Sequence, residues 1–359
     1  MITRPGRIKE QRLDHASAVY QKRCGIHVLQ QLFWECTLRC NLRCAHCGSD
    51  CRESSAIDDM PLEDFLIVLD DVRSVMDSRL ILVNTTGGEP LMRKDICDCG
   101  KAIRERGFHW GMVTNGMLLD ETMCDRLIDA GLETVTVSLD GFEHAHNWFR
   151  GHPRSFIKAE DAIKSLADRG ILWDVITCVN QRNFGSLIAF RDHLINTGVK
   201  RWRIFTVAPM GRAVNNEELQ LTDEQFGQLM DFIVESRQEG IIQVSYGCEG
   251  FLGNYEWAVR RYPFFCQAGI NVASVLADGS ISGCLSIRSD YHQGNIYEDR
   301  FTDVWANGFE CYRQREWMHT GECASCDMWK YCKGNGMHLR GDDGQTILCH
   351  MKRLKETEK

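Results

Sequence analysis

The sequence predicts an α/β protein, a partial (β/α)6 barrel followed by a smaller Cys-rich domain. Three observations carry this. From residue 31 to about 240, short β-branched, apolar runs alternate with amphipathic stretches. Beyond about 240 that alternation gives way to a hairpin and a tail rich in Cys and Gly. Finally, 18 of the 359 residues are Cys, and several fall in spaced sets. About six strand–helix units fit, short of a full eight-unit barrel, which typically needs about 250 residues. The expected division is an N-terminal extension (1–30), a barrel (31–240) and a Cys-rich domain (241–359), with the boundary within 238–248.

The elements follow in order. The first strand is "HVLQQLFWE" (27–35). The next is "RLILVNTTGGEP" (79–90), ending in a Gly-rich turn. "HWGMVTNG" (109–116), "ETVTVSLDG" (133–141), "ILWDVITCVN" (171–180) and "RWRIFTVAP" (201–209) repeat the pattern, each breaking at Gly, Asn or Pro. Helical periodicity covers 61–77, 94–106, 120–130, 156–169, 183–197 and 222–239. The second of these opens just after Pro90, and Asp120 is placed to cap the third. Such alternation implies parallel strands, whose carboxyl ends form the ligand-binding mouth. "NVASVLADGSISGCLSI" (271–287) is a hairpin turning at Asp278–Gly279, and a Trp-rich helical stretch follows.

Composition narrows the functions. Hydrophobic residues make up 43% and charged residues 26%, with a net charge of -8 and no basic run, which argues against nucleic acid as partner. The polar start "MITRPGRIKEQRLDH" lacks a signal-peptide core, and no apolar run approaches the roughly 18 residues of a membrane helix. A cytoplasmic protein is expected, with no membrane partner. In that setting, 18 Cys read as metal ligands or reactive thiols rather than disulfides, unless a given Cys is simply buried.

The densest set is "ECTLRCNLRCAHCGSDC" (35–51). Among its five thiols, Cys40, Cys44 and Cys47 show a three-then-two spacing. Three thiolates from one loop can hold three irons of a [4Fe–4S] cube and leave the fourth open to a reacting molecule. Zinc is the competing metal. The spacing resembles the cluster motif of the radical S-adenosylmethionine (SAM) enzymes. "GGEP" (Gly87, Gly88, Glu89, Pro90), "TNG" with Thr114 and Asn115, and "SLDG" with Ser138 and Asp140 follow successive strands in that family's order. The resemblance implies that the open iron chelates SAM, whose reductive cleavage releases a 5′-deoxyadenosyl radical. It implies that the GGEP turn meets the SAM amino end and that Ser138 and Asp140 line the nucleoside side. Where the family often has an aromatic residue before the third Cys, this chain has His46. Packing against the SAM adenine and a surface-loop position are both open to it. Cys36 is expected to be the buried end of the first strand. Cys51 is a loop thiol without an assigned role.

The tail carries Cys266, Cys284, then Cys323-x2-Cys326-x5-Cys332, and finally Cys349. It resembles the SPASM domain, an extension of radical SAM enzymes that holds auxiliary [4Fe–4S] clusters, over roughly 248–353. Cys323, Cys326, Cys332 and Cys349 match the four ligands of one such cluster, with a four-Cys zinc site as the alternative. Cys266 and Cys284 match two ligands of the other. Its remaining two positions hold Arg260 and Gly336 here, which leaves Cys248 as the best substitute and Cys311 as a weaker one. That site is expected to hold a three-Cys cluster with an open iron, a [2Fe–2S] cluster, or nothing. Cys24, Cys97, Cys99, Cys124 and Cys178 fit no ligand spacing.

The resemblance implies hydrogen abstraction from a peptide or protein, followed by oxidation or cross-linking, with a reducing donor such as a flavodoxin or ferredoxin. Leu285 follows Cys284 where sulfatase-maturing relatives place an Asp, so that activity is not carried over. No leader-peptide-binding domain is expected before the barrel. Glu249, Tyr246, His144 and His146 are acid–base candidates. The alternatives are oxidation of a small molecule, such as a sugar alcohol or a tetrapyrrole, and a zinc-binding scaffold without enzyme activity.

Overall fold

A computed structural model describes residues 7–287 and 290–356. Its centre is one ten-stranded sheet. The strands are β1 (Gln31–Thr37), β2 (Leu82–Gly87), β3 (His109–Thr114), β4 (Thr134–Ser138), β5 (Leu172–Val179), β6 (Arg201–Thr206), β7 (Gln243–Tyr246), β8 (Val272–Val275), β9 (Ser280–Ser282) and β10 (Gly294–Asn295). Their order is β10-β9-β8-β1-β2-β3-β4-β5-β6-β7. Strands β1 to β7 are parallel neighbours in chain order, and β8 runs parallel to β1 on its other side. The six strands expected from the sequence are β1 to β6, and β7 extends the parallel run. The expected hairpin is β8–β9, antiparallel, with Gly279 at φ +85° in its turn.

Up to residue 240 the helices are α1 (Arg7–Ile26), α2 (Leu62–Val75), α3 (Ile96–Glu105), α4 (Glu121–Asp129), α5 (Glu143–Arg150), α6 (Ser155–Ala167), α7 (Gln181–Phe184), α8 (Leu187–Asn196) and α9 (Asp223–Glu239). Asp120 caps α4 by accepting the Met123 N–H. The stretch 183–197 is broken into α7 and α8 at Gly185–Ser186, and a single 3₁₀ turn at Pro90–Met92 precedes α3. Two helices of this part were not anticipated, α1 and α5.

Strand side chains alternate between the two faces of the sheet. On one face Trp34, Trp110, Val135, Val137, Val175 and Trp202 are buried in the main core, with Trp34 stacked 4.2 Å from Phe65 of α2. The other face is polar. There the Thr136 hydroxyl donates to Asp174 at 2.7 Å, and Arg203 donates to Thr136 at 2.7 Å while pairing with Asp174. Helix α1 docks on the Cys-rich tail through Leu13 and Tyr20. Tyr20 stacks 4.5 Å from Phe265, and Ser17 reaches the Lys330 carbonyl.

Candidate metal centres and their surroundings

The loop carrying Cys40, Cys44 and Cys47 leaves the carboxyl end of β1. Its base is closed by the Cys40 N–H on the Arg52 carbonyl at 2.6 Å. Cys40 and Cys44 are buried and Cys47 half-buried, packed with Leu38, Leu42 and Met117. Cys36 is separate. It lies in the main core, wholly buried, with its S–H on the Thr86 carbonyl at 3.3 Å. Cys51, in the loop as expected, is buried beside the trio, its N–H 3.4 Å from Cys47 Sγ. Hydrogen bonding from Cys51 holds the Cys47 thiol below its usual range and pushes that of Cys51 up.

The turns after β2 and β3 clamp this loop. Gly88 N–H donates to Thr37 O at 2.7 Å and Glu89 N–H to Arg39 O at 2.9 Å. A Cβ at Gly87 would collide with the Thr37 carbonyl, and one at Gly88 with that of Arg39, so only glycine permits this approach. Glu89 is wholly buried, and its carboxylate takes the Thr114 hydroxyl at 2.7 Å, Asn115 N–H at 2.8 Å and Leu91 N–H at 3.2 Å. Burial lifts this carboxyl to about 7, against those hydrogen bonds. The Asn115 amide donates to Asn41 at 2.8 Å and stands 3.8 Å from Cys40 Sγ. Glu89 thus joins two turns to each other, and Asn115 joins them to the cysteine loop.

The third turn is buried. Ser138 is buried at the end of β4, and Asp140 is 0% exposed. One Asp140 oxygen holds Arg150 Nε at 2.6 Å and the other accepts the Cys178 N–H at 2.8 Å. That carboxylate braces the wall of the site. His46 is not a free loop histidine, because its ring stacks 3.9 Å from Phe149 at an interplanar angle of 6°. Helix α5 supplies both Phe149 and Arg150, and Phe149 O accepts the Ala45 N–H at 2.8 Å. Arg150 Nη1 lies 3.8 Å from Cys44 Sγ. From beyond β6, Arg212 donates to the carbonyls of Cys44 (2.7 Å) and Cys51 (3.0 Å). The sequence reading missed Arg150 and Arg212. Gly151, left-handed at φ +68°, was the one local sign that a helix ends there.

In the tail, Cys323, Cys326, Cys332 and Cys349 converge. Burial and then Cys349, Cys323 and Cys326 push the Cys332 thiol up to about 12. Arg340 donates to Cys323 Sγ at 3.3 Å. Cys248 lies within electrostatic reach of Cys266 and Cys284. Arg260 is buried and committed elsewhere, donating to Gly250 O at 2.9 Å over the Tyr246 ring. The Cys311 thiol accepts from Gln293 at 3.6 Å. Among the described residues, no three His, Cys, Asp or Glu side chains are arranged for a single metal ion. Of the acid–base candidates, His144 is exposed. His146 is buried, its Nδ1 accepting the Asp140 N–H at 2.9 Å. Glu249 and Tyr246 form a buried pair, Oη to Oε2 at 2.5 Å, with Thr206 Oγ1 donating to the same oxygen at 2.6 Å. Burial and then the Asp140 carboxylate push the Cys178 thiol well up, with Glu249 and Cys44 adding to it.

Residues 34–194 match the model of the radical SAM superfamily, and residues 266–327 that of the SPASM iron–sulfur cluster-binding domain. The Fe-coproporphyrin III synthase of Methanosarcina barkeri is 28% identical over 84% of this chain and 82% of its own. A PqqA peptide cyclase of Rhizobium meliloti is 24% identical over 87% and 84%. Among solved structures, anSMEcpe with bound AdoMet and the Cp18Cys peptide superposes with a TM-score of 0.72 at 20% identity, covering 92% of this chain and 96% of that one.

Proposed function

As this chain belongs to the radical SAM superfamily and carries a SPASM domain, we propose that it abstracts a hydrogen atom from a peptide or protein substrate to oxidise or cross-link it. Both domains imply [4Fe–4S] clusters, and the first implies SAM binding. The observation that carries the proposal is the loop of Cys40, Cys44 and Cys47, clamped at the carboxyl end of β1 by the Gly88, Glu89 and Asn115 contacts. These thiols would hold a cluster with one open iron. When bound, cluster and SAM supply a 5′-deoxyadenosyl radical. Gly87 and Gly88 let the backbone approach closely, while Arg150 and Arg212 set positive charge against the anionic loop. His46, stacked on Phe149, and Ser138 would border the bound nucleoside. Cys323, Cys326, Cys332 and Cys349 would hold a further [4Fe–4S] cluster, suited to accept the electron left on the substrate. A flavodoxin or ferredoxin would supply the reductant. No helix among the described residues is long and apolar enough to cross a membrane, and a cytoplasmic setting is proposed.

The peptide reading draws support from relatives such as the PqqA peptide cyclase. A second reading, a tetrapyrrole substrate, is favoured by the similarity to Fe-coproporphyrin III synthase. One experiment addresses both. Anaerobically reconstituted protein, SAM and a strong reductant should give 5′-deoxyadenosine, and a Cys40/Cys44/Cys47→Ala variant should not. Product formation raised by a peptide encoded beside this gene supports the first substrate class, and by a tetrapyrrole precursor of Fe-coproporphyrin III the second. Zinc in place of iron in anaerobically isolated protein would refute both.

A further inference from the structure

Where helix α1 docks on the Cys-rich tail, the two enclose a cavity of about 140 Å³. Tyr20, Gln21 and Cys24 line it from the helix. Three cations, Arg313, Arg315 and Lys333, line it from the tail. The one carboxylate in the lining is Glu316, whose side chain is 74% exposed and lies 3.3 Å from Lys333. Backbone carbonyls hold both guanidiniums. Arg313 donates to Gly269 O at 2.8 Å, Gly308 O at 2.9 Å and Trp305 O at 2.6 Å. Arg315 donates to Tyr312 O and Asn335 O, each at 2.9 Å. Carbonyls fix a guanidinium in place but leave its charge unanswered, and a buried cation without a counter-charge is costly. Burial lowers Arg313 to about 10, with only the Cys24 thiol opposing. Arg315 Nη2 and Tyr20 Oη are buried without an oxygen or nitrogen partner. Sulfur stands beside them instead, Cys266 next to Arg315 and Cys24 next to Tyr20. A thiolate at Cys266 answers Arg315 alone and leaves Arg313 uncompensated.

We propose that this cavity binds a small oxyanion, with phosphate, sulfate or carboxylate oxygens, that bridges α1 to the tail. Arg315 and Lys333 supply charged donors from one side, and Tyr20 and Gln21 neutral donors from the other. Charge-assisted hydrogen bonds to such oxygens are the strong ones. At roughly 30 Å³ per water, the cavity has room for about four waters, and so for one such anion. Within α1 the other polar ties to the tail come earlier. Asp14 pairs with Lys330 and Ser17 reaches the Lys330 carbonyl, about two turns and one turn before Tyr20. The anion would therefore secure the C-terminal half of the helix. Such a site is independent of the radical chemistry proposed above.

The test uses the full chain, isolated anaerobically with its metal content intact. Sodium phosphate is titrated against sodium chloride of equal ionic strength, with calorimetry for binding and hydrogen exchange for the α1 amides. Phosphate should bind at one site per chain and slow exchange at the C-terminal end of α1. Lys333→Gln should weaken binding about tenfold, as loss of one charge-assisted hydrogen bond predicts, and Tyr20→Phe by less. Lys352→Gln, which removes a surface cation paired with Glu322, should leave binding unchanged. Melting temperature and metal content in chloride show that each variant is folded. Sulfate and malonate repeat the titration. A response to sulfate as well as phosphate assigns the site to tetrahedral anions, and a response to malonate alone assigns it to a carboxylate. No saturable binding of any of the three, or equal binding by the wild type, Lys333→Gln and Tyr20→Phe, overturns the site.

Discussion

Arg150 stands between Asp140 and Cys44, its Nε 2.6 Å from the carboxylate and its Nη1 3.8 Å from the sulfur. A buried guanidinium thus touches a thiol expected to carry an iron cluster, and a buried carboxylate fixes its position. Partners that orient metal ligands typically govern about 10- to 100-fold in affinity or activity. Arg150→Met should therefore lower iron loading or 5′-deoxyadenosine formation by about that factor. Removing the cation also leaves Asp140 buried and unpaired, at a cost of about 3–5 kcal/mol. The double variant Arg150→Met/Asp140→Asn should recover stability in thermal denaturation without recovering the cluster's potential. Recovery of both would reduce Arg150 to a structural residue.

Cys36 and Cys40 lie four residues apart yet should respond in opposite ways. Cys36 is a core side chain under the sheet, so Cys36→Ala should cost about 1 kcal/mol of stability and leave the iron count unchanged. Cys40→Ala should remove about four irons per chain. Iron and sulfide analysis of the two variants separates these roles, and equal loss of iron in both would contradict the assignment.

Gly88→Ala tests the clamp directly. The added methyl would meet the Arg39 carbonyl, which lies in the loop just before Cys40. Backbone cannot rotate away as a side chain can, so the loop must shift, at about 1–3 kcal/mol. Loss of cluster loading should exceed what the modest drop in melting temperature suggests. A variant that loads normally would show that the loop has slack.

Glu89 gives a pH signature with a definite sign. Its carboxyl is lifted from 4.5 to about 7 by burial. Between those values the folded protein holds a proton that the unfolded chain has released, so this group's contribution to stability falls as pH rises. The full fall is about 3 kcal/mol. Glu89→Gln cannot titrate, and its stability relative to wild type should improve steadily from pH 4.5 to 7. Parallel denaturation curves across that window would show that Asn115 and Thr114 fully offset the burial.

Much of this architecture could be read beforehand. Strands β1 to β6 carry apolar residues at alternate positions because helices cover one face and the other is polar, and their turns announce themselves with Gly and Asn. The cysteine loops are visible through spacing alone. Helix α5 was not legible, since only His146, Phe149 and Arg150 of its eight residues are buried, and two of those are polar. Helix α1 was missed for a similar reason. Leu13, Ser17 and Tyr20 form a narrow stripe on a polar helix, and their partners lie some 250 to 300 residues away. Arg150 and Arg212 act on Cys44 only through tertiary contact, for which no local pattern exists.

Glu249 is the remaining group with chemistry to spare. It follows β7, next to Cys248, and its charge is felt at Cys178. Tyr246 and Thr206 both donate to one of its oxygens, which fixes the carboxylate while burial raises its proton affinity. A group so placed can take up the proton released when a substrate radical is oxidised. Glu249→Gln should then leave 5′-deoxyadenosine formation within about twofold and lower conversion of substrate to oxidised product by about 100-fold. Measuring both products in one reaction gives their ratio. A ratio equal to that of the wild type would place Glu249 among the structural residues, whatever the absolute rates.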